Sequence, residues 1–275
     1  MKNFFLIALI DIKESFRSRW FLIYIFTFVC LVCGLLLSGV SNSRVSGFVG
    51  LSRILLLFIQ ICFIILPIFI LITTVRSICY DRDMNTLEYL LSYPVSLKEY
   101  YFGKATGRAF IVISPLILSL LFMVIFAIFS HKPLELKILF VYTVLLCILS
   151  FFFLSLGFFI SVIVKSQEMA LGIAFFIWLF LIAFLDLALI GFMMKISVNE
   201  YVIYSIAILN PIEAFRIASI SLFDPNLSVI GPAAYYVLDI FGRNFFILYS
   251  ICYSLFLGFI LLICGYLIFC KKDLT

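Results

Sequence analysis

The sequence predicts an all-α polytopic membrane protein with six transmembrane helices, and three observations carry that prediction. Of 275 residues, 66% are hydrophobic and only 12% charged, with a mean hydropathy of +1.30; a soluble domain of this size needs far more polar surface. Six apolar runs, at roughly 20–40, 54–75, 109–129, 138–164, 169–191 and 245–270, each reach the ~20 residues that cross a bilayer as a helix. The basic residues lie in the segments between the runs. With the N-terminus inside, twelve fall on the cytoplasmic side and seven outside, so both termini are expected in the cytoplasm. The net charge of +5 is therefore no nucleic-acid signature, and the lipid bilayer is the partner it fits. A single domain, 1–275, is expected, with no internal repeat. No cleavable signal peptide is expected either, because a charged stretch of almost twenty residues precedes the first strongly apolar run.

Residues 2–19 predict an interfacial helix rather than a span. Phe5, Leu9, Ile12 and Phe16 recur at helical spacing, with Lys2, Lys13, Glu14 and Arg17 away from them. Span one carries Cys30 and Cys33, spaced i, i+3. Thiols at that spacing share a helix face and suit soft metals, but an apolar setting keeps them protonated, so packing is expected and no metal site. Met193 and Met194 raise the same idea with the same answer. The eight cysteines, mostly inside apolar runs, do not form a disulfide framework. In span two, Gln60 reads as polar glue between helices.

The segment 76–108 predicts two short capped helices. Asn85 and Glu88 have capping-box spacing ahead of Thr86-Leu-Glu-Tyr-Leu-Leu, Pro94 stops that helix, and Ser96 with Glu99 starts a second, Leu97 to about Lys104. Gly103 and Gly107, four apart, permit close packing at the head of span three. His131 reads as a surface residue of an outer loop. Asp186, toward the outer end of span five, is the strongest polar anomaly in a span and divides evenly between a site role and an interface role.

Between spans five and six, Asn210-Pro211 breaks an otherwise apolar stretch, and Asp224-Pro225-Asn226 and Gly231-Pro232 break the chain again. Short outer helices that re-enter the membrane between 192 and 244 and pack on the bundle or on a partner are the expectation. Glu213 and Arg216 stand i, i+3 there, spaced either to pair with each other or to meet an external partner. No phosphate-cradling loop is present: Gly103-Lys104 has no glycine five positions earlier. No metalloprotease helix and no nucleophile elbow is present either. The chain is expected not to be an enzyme and to bind no cofactor.

The run Tyr80-Asp-Arg-Asp-Met-Asn-Thr-Leu-Glu-Tyr-Leu-Leu-Ser-Tyr-Pro-Val-Ser, followed by Gly103-Lys104, resembles the coupling-loop signature of type-2 ABC exporter permeases. Asn85 stands where that family often has Gly. The ending Phe269-Cys-Lys-Lys-Asp-Leu resembles the family's usual terminus. Ser92-Tyr-Pro-Val, Asp186-Leu-Ala-Leu-Ile-Gly and Asn210-Pro-Ile-Glu-Ala-Phe-Arg are most similar to permeases of the nitrous-oxide-reductase copper-site maturation systems. The resemblance runs over essentially the whole chain.

It implies an inner-membrane homodimer coupled to a separate cytoplasmic ABC ATPase dimer, which would carry the ATP and Mg. The implied ATPase-coupling residues are Asp83, Thr86, Leu87, Glu88, Leu91, Tyr93, Pro94, Ser96, Lys98, Glu99 and Lys104. It further implies a periplasmic β-helix partner near Asn210, Pro211, Glu213 and Arg216, and a copper- or sulfur-related cargo. The alternatives are a general ABC exporter permease for a lipid, drug or peptide, or a secondary transporter, with a membrane-bound structural subunit that has no ATPase as a third. The second would call for internal repeats and broken or charged helices at mid-membrane, which the sequence lacks.

Overall fold

The computed structural model describes residues 2–37, 51–130, 135–185, 187, 191, 205, 208–222 and 238–271, and every regular element among them is helical. Helix α1 spans Lys2–Arg17, α2 Arg19–Leu37, α3 Leu51–Thr74, α4 Arg76–Asp83, α5 Thr86–Leu91, α6 Leu97–Phe129, α7 Leu136–Ile163, α8 Gln167–Leu179, α9 Pro211–Ser221 and α10 Arg243–Lys271. Among the described residues, six helices are long and apolar enough to cross a bilayer, and they fall on the six predicted runs. Asp186, His131, Met193, Met194 and most of 192–244 lie outside the described residues.

Helices α3 and α7 form the centre. Helix α7 is the most buried span, with 67% of its most apolar 18-residue stretch buried, and the span of α8 and the turn that continues it, Gln167–Phe184, is the least, at 11%. The core is aromatic: Phe28 meets Phe58 edge-on, Phe58 meets Tyr142, and Tyr142 meets Phe215. Such pairs add to burial because ring edges and faces carry opposite partial charge. Pro115 sits inside α6 and cannot donate to the Ile111 carbonyl four residues back. The Ser114 hydroxyl donates to that carbonyl instead, at 3.3 Å, a repair that a lipid-embedded helix needs.

Helix α1 lies along the head of α6. Its stripe of Phe5, Leu9 and Phe16 is exposed, while Ile7, Asp11 and Ser15 are buried. The apolar stripe thus faces outward, as an interfacial helix requires, and the opposite face seats on Gly103 and Gly107. A Cβ at Gly103 would stand 3.0 Å from the Phe4 carbonyl oxygen. One at Gly107 would stand 2.8 Å from the Ala8 carbonyl oxygen.

This seating corrects the expectation at 97–129. The second short helix and span three are one 33-residue helix. The two glycines do not break it, because α1 covers them and nothing in 103–108 removes a backbone donor. A second correction concerns Asn85. It makes no side-chain cap and instead takes the left-handed conformation, φ 55°. Asparagine is among the few non-glycine residues that tolerate this conformation. The Ser96 capping box forms as expected: Glu99 N–H donates to Ser96 Oγ at 3.2 Å, and Ser96 N–H donates to Glu99 Oε2 at 3.2 Å.

Candidate functional site

The end of the bundle that carries α1, α4, α5 and the head of α6 is built in two layers. The outer layer is the ledge from Asp83 to Lys98. Asp83, Glu88, Tyr93, Pro94, Ser96 and Lys98 are exposed there, Thr86 and Glu99 are half-buried, and Leu87 anchors the ledge at 1% exposure. The side chain of Leu91 lies outside the described residues. Tyr89 and Tyr93, both exposed, meet edge-on and join hydroxyls at 2.9 Å. Asn3 Nδ2 donates to the Pro94 carbonyl at 2.8 Å, so α1 touches the ledge too.

The inner layer is a set of buried charges that pins the ledge to the spans. Lys104 does not belong with the exposed set. It is 6% exposed, ion-paired with Asp81, and donates to the Ser77 carbonyl at 2.9 Å. Tyr100 donates its hydroxyl to Asp81 as well. Helix α4 is thereby fixed to α6 by a satisfied charge pair, the only form in which charge is stable at such depth. Arg108 reaches the Thr73 carbonyl at 3.2 Å and holds Asp11 of α1 at 3.1 Å.

On the other side of α4, Ser161 of α7 accepts from the Ile78 and Cys79 N–H groups at 3.0 and 3.1 Å. These are orphan donors of a helix start, capped from another helix. Arg82 donates to the Val164 carbonyl at 3.2 Å, and Gln167 donates to Asp83 at 3.1 Å. The ledge is thus tied to α1, α6, α7 and α8 together. None of Asp81, Tyr100, Asp11, Arg108 and Ser161 was among the predicted site residues. An acid at position 11, in register with buried Ile7 and Ser15, is the one signal the sequence carries for them.

Burial pushes the Asp11 carboxyl above its ordinary range, and the neighbouring Arg108 offsets this only in part. The folded chain therefore holds a proton on Asp11 at a pH where the unfolded chain has lost it. Stability falls as pH rises from the ordinary carboxylate value through the raised one. We expect Asp11→Asn to flatten this dependence: wild-type melting temperature should rise relative to the variant on acidification toward that window. A wild type that instead loses ground to Asp11→Asn in that window would contradict the assignment.

A second polar cluster lies within the spans. Asn210 caps α9, accepting from Ile212 N–H at 3.1 Å, and its amide donates to the Leu181 carbonyl at 2.9 Å. Leu181 belongs to a π-helical turn, Phe180–Phe184, that continues α8. Tyr249 and Tyr253 of α10 donate to the carbonyls of Ile208 and Leu209 at 3.2 and 2.7 Å. Helix α9 has 11 residues, ten of them buried, and is too short to span. It is buried because it packs on α3, α7 and α10. Glu213 pairs with Arg216, and Arg216 stands over the Phe63 ring at 5.6 Å.

Asn210, Pro211 and Glu213 are thus inside the bundle rather than on an outer face. Of the four residues expected to meet a partner, Arg216 alone keeps appreciable surface. It lines a cavity of about 550 Å³ together with Gln60, Phe63 and Ile220. Cys30 is exposed and Cys33 half-buried on α2. Among the described residues, no group of three or more His, Cys, Asp or Glu side chains is placed to hold a metal.

Residues 5–274 match the family model described as ABC-2 family transporter protein. A probable ABC transporter permease protein NosY of Stutzerimonas stutzeri is 22% identical over 231 residues, covering 82% of this chain and 84% of that protein. A protein of the same description from Pseudomonas aeruginosa is 25% identical over 232 residues, covering 79% and 82%.

Proposed function

This chain belongs to the ABC-2 family of transporter proteins, and from that premise we propose that it is the homodimeric inner-membrane permease of an exporter that supplies a copper- or sulfur-related cargo for periplasmic nitrous-oxide-reductase maturation. The coarse part of this reading, an ABC transporter permease, follows from the family and from the two relatives described as NosY permeases. The observation that carries the coupling role is the two-layered ledge: exposed Glu88, Tyr89, Tyr93 and Lys98 above the buried Asp81–Lys104 pair.

A separate ATPase grips the ledge from the cytoplasm, and Leu87 transmits the grip inward. The pin passes displacement to α3 and α6, and the Ser161 contacts pass it to α7. Two copies of the chain face each other across α3 and α8. Support for this comes from the sparse burial of α8 and from the Gln60–Arg216 cavity, which a second copy would close. No step of ATP chemistry falls to these residues; ATP and Mg sit on the ATPase. The periplasmic β-helix partner meets the end of the bundle opposite the ledge.

The test is a pull-down of tagged chain from native membranes, wild type beside Glu88→Arg/Tyr89→Ala. Both side chains are exposed, so the variant should insert and purify normally while losing at least tenfold of its ATPase. Full ATPase retention by the variant would overturn the docking surface. An ATPase with a periplasmic β-helix protein supports the maturation reading, whereas an ATPase alone favours a general exporter of a lipid, drug or peptide.

A further inference from the structure

We propose that the corner between α1 and α2 is a binding site for the phosphodiester head group of a phospholipid from the leaflet in which α1 lies. Two cavities flank this corner. One, of about 540 Å³, is lined by Arg17, Arg76, Lys104 and Arg108, by the carboxylates of Glu14 and Asp81, and by Ser15 and Ser77. The other, of about 610 Å³, is almost wholly apolar and is lined from Phe16, Phe21 and Ile25 to Phe110 and Leu118.

The charges of the first cavity are not evenly spent. Lys104 is committed to Asp81, and Arg108 to Asp11. Among the described residues, Arg17 and Arg76 make no ion pair. Ser15 and Ser77 are 4% and 2% exposed, and the hydroxyl of neither has a hydrogen-bond partner among the described residues; the Arg76 Nε donor is in the same position. Buried polar atoms ordinarily find partners, and two hydroxyls beside two uncommitted guanidiniums suit the oxygens of a phosphate. Glu14, exposed at the rim, disfavours a highly charged anion and tolerates a singly charged diester.

The apolar cavity selects a lipid over a free phosphate. Phe16 and Phe21 turn into it, while their neighbours Arg17 and Trp20 line the polar one. A head group and an acyl chain therefore have adjoining berths. Trp20, 42% exposed at the start of span one, stands where an aromatic ring meets the head-group layer.

The full-length chain, purified in detergent, is to be examined by native mass spectrometry after exposure to mixed micelles of phosphatidylglycerol or phosphatidylethanolamine. The wild type should retain one phospholipid per chain. Arg17→Gln/Arg76→Gln should retain at least tenfold less at matched monodispersity, and Ser15→Ala/Ser77→Ala, which keeps every charge, should also retain less. Millimolar inorganic phosphate should not displace the lipid. Equal retention by the wild type and both variants would overturn the proposal. Displacement of the lipid by inorganic phosphate would also overturn it, by assigning the cavity to the free anion.

Discussion

Asp81→Ala should destabilise the protein by about 3–5 kcal/mol, the cost of leaving a buried charge without its partner. Lys104 is 6% exposed and would keep its ammonium against the Ser77 carbonyl without the carboxylate it pairs with. Tyr100, fully buried, would lose the acceptor of its hydroxyl in the same step. Thermal unfolding followed by size-exclusion in detergent would report the loss. Asp81→Leu combined with Lys104→Met should recover most of it, because the pair is then replaced by apolar volume rather than broken. That double variant should nevertheless couple poorly to the ATPase, since the two helices would no longer be held in one register. An Asp81→Ala chain that melts with the wild type would show that Lys104 escapes to water, and the pin would not exist.

Gly107→Leu should detach α1 from α6. The first atom beyond Cα would already meet the Ala8 carbonyl oxygen at 2.8 Å and Asp11 Cβ at 3.0 Å. Both belong to the opposing helix, so no rotamer of the leucine relieves them. Overpacking costs about 1–3 kcal/mol where neighbours can shift; here α1 itself must move, taking Asp11 away from Arg108. Limited proteolysis of the N-terminal segment should become at least tenfold faster. Gly34→Leu is the control, because nothing lies within 4 Å of a Cβ at Gly34, and it should be neutral. If both variants resist protease equally, the seating of α1 is wrong.

The spans were legible because each is a matter of length and hydrophobicity alone, and Ser96 with Glu99 was legible because a capping box is local. Asn85 with Glu88 shows the limit of that logic. The same spacing fits a cap and a left-handed turn residue, and the choice depends on how the chain leaves α4. The fusion of the second short helix with span three was hidden for a related reason. Gly103 and Gly107 read as close-packing positions at the head of span three, and nothing local shows that one helix runs straight through them.

Lys104 entered the coupling set through the resemblance of Gly103-Lys104, and its buried pairing stayed hidden because its partner, Asp81, is 23 positions away and a single sequence gives no pairing between them. Glu213 and Arg216 were read as paired or partner-facing. The ion pair forms, but α9 carries it inside the bundle, where Asn210 fixes its start against the π-helical turn. The uncommitted arginines and serines at the α1–α2 corner had no sequence signal, because they come from two elements, α1 and α4, some sixty residues apart, and only the fold assembles them.

The unbroken α6 has a mechanical consequence. Its 33 residues, at 1.5 Å each, make a rod of about 50 Å, whereas the hydrocarbon layer is about 30 Å thick. Some 20 Å of rod therefore lies outside the hydrocarbon layer with no loop in it. A sideways push of about 3 Å on the ledge cannot be absorbed at a loop; it tilts the whole rod by a few degrees and swings the far end the opposite way. The bilayer would act as the fulcrum, so a push at one face of the membrane would reach the other through a single helix.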